Sequence, residues 1–185
     1  MIRTILLTLL LINFSSNSYG SVKKEIISNF KQIENIIFNF KQTIEEKTEE
    51  GICIIKYPKK IYCEYDNLKK KIIVSNGKSL VIKNRSNNQY YLYPLEKTPL
   101  ILILDKNALI KKISEIDVNL VNDKYFNCSI RDNDNKINIF FDKNSLNLLG
   151  WQTEDLYQNL VITYIYNIKK NKKIDEKLFE LPTMD

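Results

Sequence analysis

No histidine occurs anywhere in the 185 residues. The commonest general base, and with it the commonest metal ligand, is therefore missing. Glycine is scarce, four residues set far apart, so no glycine-rich phosphate loop exists. Cysteine occurs three times with no C-x-x-C pair, which leaves neither a zinc site nor a thioredoxin-like redox centre. Adjacent acids stand at Glu45-Glu46 and Glu154-Asp155. On a strand such neighbours face opposite ways, and in a turn they are solvated, so neither pair makes a catalytic dyad. These absences point away from an enzyme, and no catalytic residue, metal or cofactor is expected. Lys and Arg outnumber Asp and Glu by 28 to 22, a formal charge of +6. The basic residues are scattered, without the compact stripe that nucleic acid requires.

What is present begins at the N-terminus. A positive start, Met1-Ile2-Arg3, leads into an apolar run from Ile5 to Ile12, then small and polar residues, then Ser18-Tyr19-Gly20. That layout is a secretory signal peptide over residues 1–20, with cleavage after Gly20. The apolar run is far shorter than the roughly 20 residues needed to span a bilayer. Cleavage there leaves Ser21 first, where a bacterial lipoprotein would need Cys. The mature chain, 21–185, is expected as one soluble, exported domain long enough for a real core. An odd cysteine count in an exported protein leaves at least one thiol unpaired. Cys53 and Cys63 fall on expected neighbouring strands, so a bridge between them is open but not determined by spacing.

From Lys24 to Phe40 the apolar residues recur at helical spacing, and Phe38, Phe40 and Gln42 then alternate. The pattern predicts a helix handing over to a first strand near Ile37. Short strands separated by turns follow: Ile52 to Tyr57, Ile61 to Tyr65, Lys71 to Val74, Ser79 to Lys83 and Gln89 to Tyr93. Asn76-Gly77 predicts a two-residue hairpin with both residues at positive φ. This is the rhythm of an antiparallel meander. Thr98-Pro99 then opens a different segment, Thr as N-cap and Pro at the first helical position. Leu100 to Leu104 is apolar on every side, which predicts a buried helix, with a buried strand as the alternative. A short helix over Asn107 to Ile113 follows, and the meander resumes at Lys124. The fold class is α+β: a single curved antiparallel sheet covered by a few helices.

The informative feature is a surplus of apolar surface. An antiparallel sheet in a soluble protein needs only one dry face. Strands this greasy, curved around an all-apolar helix, predict either a filled core or a ligand cavity. Composition does not choose between the two.

Several pieces in order resemble the LolA family of outer-membrane lipoprotein carriers. A helix runs into Phe40-x-Gln42. Glu50-Gly51 precedes an apolar strand and the turn Pro58-Lys59-Lys60, and Tyr65-Asp66 ends that hairpin. Ile73-Val74-Ser75-Asn76-Gly77-Lys78-x-Leu80 follows, then Thr98-Pro99-Leu100 where the family opens its lid helix, Trp151 and Asp155, and Phe179-x-Leu181-Pro182. The resemblance covers nearly all of the mature chain. It implies an unclosed β-barrel covered by helices, and a monomeric periplasmic carrier without enzymatic activity. It further implies acylated lipoproteins as cargo, an inner-membrane ABC lipoprotein-releasing transporter as donor, and an outer-membrane receptor lipoprotein as acceptor where one exists. A lipid-sensing regulatory or interaction domain on the same fold is the alternative. The implied lipid cavity draws on Ile52, Ile54, Ile61, Ile73 and Leu80 from the strands and Leu100, Ile101, Ile103 and Leu104 from the lid. A one-residue slip in alternation would turn the strand set outward. The family's lid-latching Arg corresponds to Tyr57, which lacks the five-donor fork of Arg.

Overall fold

The structure, a computed structural model, describes residues 18–132, 135–154 and 158–184. The signal-peptide expectation thus falls mostly outside the described residues, as do Asp155 and the centre of the Asp132 to Asn135 turn.

A helix, α1 (Ser18–Lys31), opens the described chain. Six strands follow in meander: β1 (Asn35–Ile44), β2 (Lys47–Lys56), β3 (Lys60–Tyr65), β4 (Lys71–Asn76), β5 (Ser79–Asn84) and β6 (Gln89–Pro94). Two helices come next, α2 (Ile101–Leu104) and α3 (Lys106–Glu115). Five more strands complete the sheet: β7 (Asn119–Val121), β8 (Tyr125–Asp132), β9 (Asn135–Asp142), β10 (Leu148–Glu154) and β11 (Leu160–Lys170). All eleven form one antiparallel sheet in the order β6-β5-β4-β3-β2-β1-β11-β10-β9-β8-β7. The first strand pairs with the last, while β6 and β7 form two free edges. The sheet is therefore an unclosed barrel, and the α+β architecture matches the sequence pattern.

The helix-to-strand handover lies earlier than periodicity predicts. α1 ends at Lys31, and the strand is already running at Asn35. Ile36 fits both periods. The tie is broken by pairing, because β1 has a partner on each side, β2 and β11, which a helix could not satisfy. The carbonyls of Lys31, the last helical residue, and of Ile33, just beyond it, accept from the Lys106 ammonium at 3.2 and 2.8 Å. The Asn76-Gly77 hairpin also differs in detail. Gly77 alone takes positive φ (98°), with Lys78 as the second turn residue. The Asn76 side-chain oxygen instead accepts from the backbone N–H of Lys78 and Ser79, each at 3.0 Å.

The core fills the concave side. Ile26 and Phe30 of α1, Leu109 and Ile113 of α3, and Leu104 are all buried against inward strand residues such as Ile55, Cys128, Ile137 and Ile165. A smaller apolar cluster lies on the convex side, where the C-terminal tail lays Phe179 near β3 and β4, beside buried Val74 and Val81. Gly150 sits where β10 meets β11. Its φ is +152°, and an added Cβ would lie 2.1 Å from the Thr163 carbonyl oxygen. Gly150→Ala is expected to lower unfolding free energy by about 2 kcal/mol or more. Urea denaturation followed by circular dichroism measures this, and an unchanged midpoint would refute it.

Candidate functional site: an apolar cavity beneath the lid

The concave face is not completely filled. Between it and the segment Pro99 to Ile103 lies a cavity of about 250 Å³. Its floor comes from Phe38, Phe40 and Gln42 of β1, the Cys53–Cys63 disulfide, and Ile61 and Tyr65 of β3. Ile73 and Ile82 close one flank, and Trp151, Thr153, Glu154, Val161 and Thr163 the other. Pro99, Leu100 and Ile103 form the roof. Aromatic rings stiffen the floor: Phe40 meets Tyr65 edge-on at 4.8 Å, and Phe38 meets Trp151 at 6.2 Å. Gly51, opposite Phe40 on β2, leaves room for that ring, since a Cβ there would come within 2.9 Å of it.

Of the residues expected to line a cavity, Ile61, Ile73, Leu100 and Ile103 do so. Leu80 and Leu104 are buried in the core but outside the cavity wall, and Ile101 is half-buried against that core. Ile52 and Ile54 are displaced by one residue from the expectation. β2 turns Gly51, Cys53 and Ile55 inward, so Ile52 and Ile54 lie on the convex face, Ile52 at 42% exposure. The cause is strand parity. Phe40 and Tyr65 flank Gly51 on the inner side, and every residue of β2 follows from that pairing. The apolar composition of both faces hid this. The alternation of Phe38, Phe40 and Gln42 was the available signal for the floor. Trp151, Val161 and Thr163 had no comparable signal until β10 and β11 were paired.

The all-apolar segment is a helix and is buried, with Leu102, Ile103 and Leu104 each at 6% exposure or less. Its start is less ordered by capping than Thr98-Pro99 suggests. Leu100 occupies the N-cap, and the Thr98 hydroxyl donates back to the Leu95 carbonyl at 2.8 Å. Only the Thr98 main-chain oxygen serves the helix, accepting from Ile101 N–H at 3.2 Å.

Tyr57 makes no hydrogen bond to the lid among the described residues. Its ring is buried, edge-on to Phe30 at 5.8 Å and 5.6 Å below the Lys106 ammonium, and its hydroxyl lacks a hydrogen-bond partner among the described residues. Burial pushes that hydroxyl's pKa upward, so it stays protonated. The lid is held two residues later. Lys59 N–H donates to the Leu104 carbonyl at 2.9 Å, and the Lys59 ammonium stands 3.1 Å from Asp105. Ser75 Oγ braces the same turn by donating to the Lys59 carbonyl at 3.2 Å. Asp105 also caps α3, accepting from Ala108 N–H at 3.1 Å. The β2–β3 turn therefore grips the junction between the two lid helices.

A family model, "Outer membrane lipoprotein carrier protein LolA", matches residues 23–182. The chain belongs to the LolA family. No curated protein matches it in sequence. Among solved structures, a conserved protein of unassigned function from Thermus thermophilus is similar at a TM-score of 0.52 and 9% identity, covering 88% of this chain and 94% of that one. A LolA superfamily protein from Nitrosomonas europaea is similar at a TM-score of 0.46 and 7% identity, covering 86% and 97%. The Thermus likeness establishes the shared fold. Within this LolA chain, the carry-over of the family's lid-holding Arg onto Tyr57 is replaced by the Lys59 contacts.

Burial raises the Asp105 carboxyl, but the Ala108 N–H, Lys59 and the Asn107 N–H outweigh it and hold the group below its ordinary range. A carboxyl lowered on folding stabilises above its unfolded value and loses that effect as pH falls through the folded one. The melting-temperature difference between wild type and Lys59→Met is therefore expected to persist from about pH 5 upward and to shrink below about pH 4. Calorimetry across pH tests it, and a difference that does not change with pH would refute it. Cys53 and Cys63 are bridged, leaving Cys128 free and buried, with its thiol pushed up to about 12 by burial. A thiol reagent is expected to label one cysteine per chain, and only in denaturant. Rapid labelling of the native protein would contradict this placement.

Proposed function

We propose that this protein is a periplasmic carrier that shelters the acyl chains of lipoproteins. It takes them from an ABC transporter of the inner membrane and delivers them to the outer membrane, to a receptor lipoprotein where one exists. The observation that carries the proposal is the apolar cavity under a lid whose own side chains are apolar. Lipid chains cost about 0.8 kcal/mol for each CH₂ exposed to water, so a water-filled crossing demands a dry shelter. Membership of the LolA family supports the same assignment.

The size of the cavity bears on how cargo enters. About 250 Å³ lies just below the roughly 300 Å³ at which small-molecule sites begin. A bulky multi-acyl anchor therefore requires the roof to move. The roof can move without rupturing the sheet, because α2 is joined to it by few polar contacts, the Lys59 tether chief among them. In this carrier Leu100 and Ile103 touch cargo directly, and Leu104 and Ile101 hold the lid to the helical layer.

Native mass spectrometry of the protein purified from periplasm is expected to show co-purifying acyl-chain adducts. Replacing Leu100 or Ile103 by Glu should abolish them by placing a charge in the apolar space. A clean apo mass that stays clean when triacylated lipoprotein is offered would sink the carrier assignment.

A further inference from the structure

The cavity has a direction. Ile61 and the roof residue Ile103 lie at the end where the β2–β3 turn grips the lid. At the opposite end of the same strands the lining becomes polar. There Gln42, near the end of β1, is opposite Thr163 of β11, and Tyr65 ends β3. Thr153 and Glu154, at the end of β10, complete this mouth.

The polar groups are wired to one another. Tyr65 O–H donates to Gln42 Oε1 at 3.2 Å, and Gln42 Nε2–H donates to Thr163 Oγ1 at 3.0 Å. Burial, with Glu49 nearby, pushes the Tyr65 hydroxyl upward, so it remains a donor. In this arrangement the Gln42 amide turns its nitrogen toward Thr163. A primary amide carries two N–H protons, and a threonine hydroxyl carries one of its own. Neither the second Nε2 proton nor the Thr163 hydroxyl proton has an acceptor among the described residues. Thr163 is 3% exposed and lines the cavity, so an acceptor for its proton is available from within the cavity rather than from bulk water. Two donors thus converge at the mouth of an otherwise greasy space, and an acceptor brought there by a ligand would be met.

We propose that Gln42 and Thr163, oriented by Tyr65, recognise the carbonyl oxygen of a neutral acyl linkage, an amide or an ester. One chain enters tail first toward Ile61 and Ile103 and stops with its carbonyl at the mouth. This deepens the acyl-shelter assignment and rests on it. The charges around the mouth select against a free carboxylate. No Lys or Arg lines the cavity among the described residues, Glu154 stands exposed at its rim, and the Lys71 ammonium, 3.7 Å from the Tyr65 ring centre, is already engaged by Glu49. A fatty acid anion buried there would have no counter-charge among the described lining residues. An acyl amide or ester brings only an acceptor, and burying that acceptor unpaired would be costly.

Trp151, the single tryptophan of the chain, lies in the cavity wall and reports binding by its fluorescence. The purified protein is titrated with N-methyldodecanamide, methyl dodecyl ether and dodecanoate. Thr163→Val and Gln42→Leu are each expected to reduce the preference for the amide over the ether by about tenfold, while ether binding persists. Dodecanoate is expected to bind more weakly than the amide in the wild type. An amide-to-ether ratio unchanged in Thr163→Val would overturn the carbonyl site and leave the shelter standing. Dodecanoate binding as tightly as the amide would overturn the preference for a neutral linkage. Failure of all three probes to bind wild type would instead overturn the shelter assignment itself. The near-isosteric Thr163→Val keeps the test available if Gln42→Leu does not fold.

Discussion

The pairing of β1 with β11 is the constraint on which the rest depends. It places the two ends of the described sheet sequence at the centre of the sheet and leaves β6 and β7 as its edges. Those edges are consecutive in the chain. The connection between them must pass from one rim of a curved sheet to the other, and the segment that makes this passage is residues 95–118, containing α2 and α3. The lid is thus a consequence of topology. A sheet of this order cannot be wound without a strap across its hollow side, and a strap that is apolar on all sides stays only if it has apolar surface beneath it.

A strap that rests on a hollow is different from one that fills it. Leu104 and the inward faces of α1 and α3 pack against Ile55, Cys128 and Ile137, and one part of the hollow is sealed. Toward the other part Pro99, Leu100 and Ile103 form the roof, and a space remains. The walls around that space are hard to collapse. Phe40, Tyr65, Phe38 and Trp151 lock one another edge-on, and the Cys53–Cys63 bridge ties two adjacent strands. Apolar voids persist when rigid walls prevent relaxation, and they accept apolar guests. Polar groups gather where the strands emerge from under the lid, so the hollow has a dry end and a wetter one. A guest with a hydrocarbon tail and a carbonyl is shaped like that gradient.

Much of this was legible in the chain. The meander of short strands, the apolar helix after Thr98-Pro99, and the Phe38-Phe40-Gln42 alternation each follow from local chemistry, and each appears in the structure. Local signals failed where two periods or two faces were equally plausible. Ile36 suits a helix or a strand, and pairing on both sides of β1 decided for the strand. Ile52 and Ile54 are as apolar as Cys53 and Ile55, and nothing within β2 says which pair faces inward. Tyr57 took the sequence position of the family's Arg, yet the ring sank into the core and the tether passed to Lys59.

The sequence alone determined most of the elements and their order, because turn residues and hydrophobic period act over a few neighbours; the short β7 and the choice of helix over strand at Leu100 to Leu104 came only from the fold. It also excluded histidine-based catalysis, since a residue type absent from the chain cannot be supplied by folding. Strand parity, the hollow beneath the lid, and the convergence of Gln42, Tyr65 and Thr163 were decided only in three dimensions. Those three residues lie far apart along the chain and meet through the β1–β11, β1–β2 and β2–β3 registers. Register is a property of pairs of strands, and no single strand carries it.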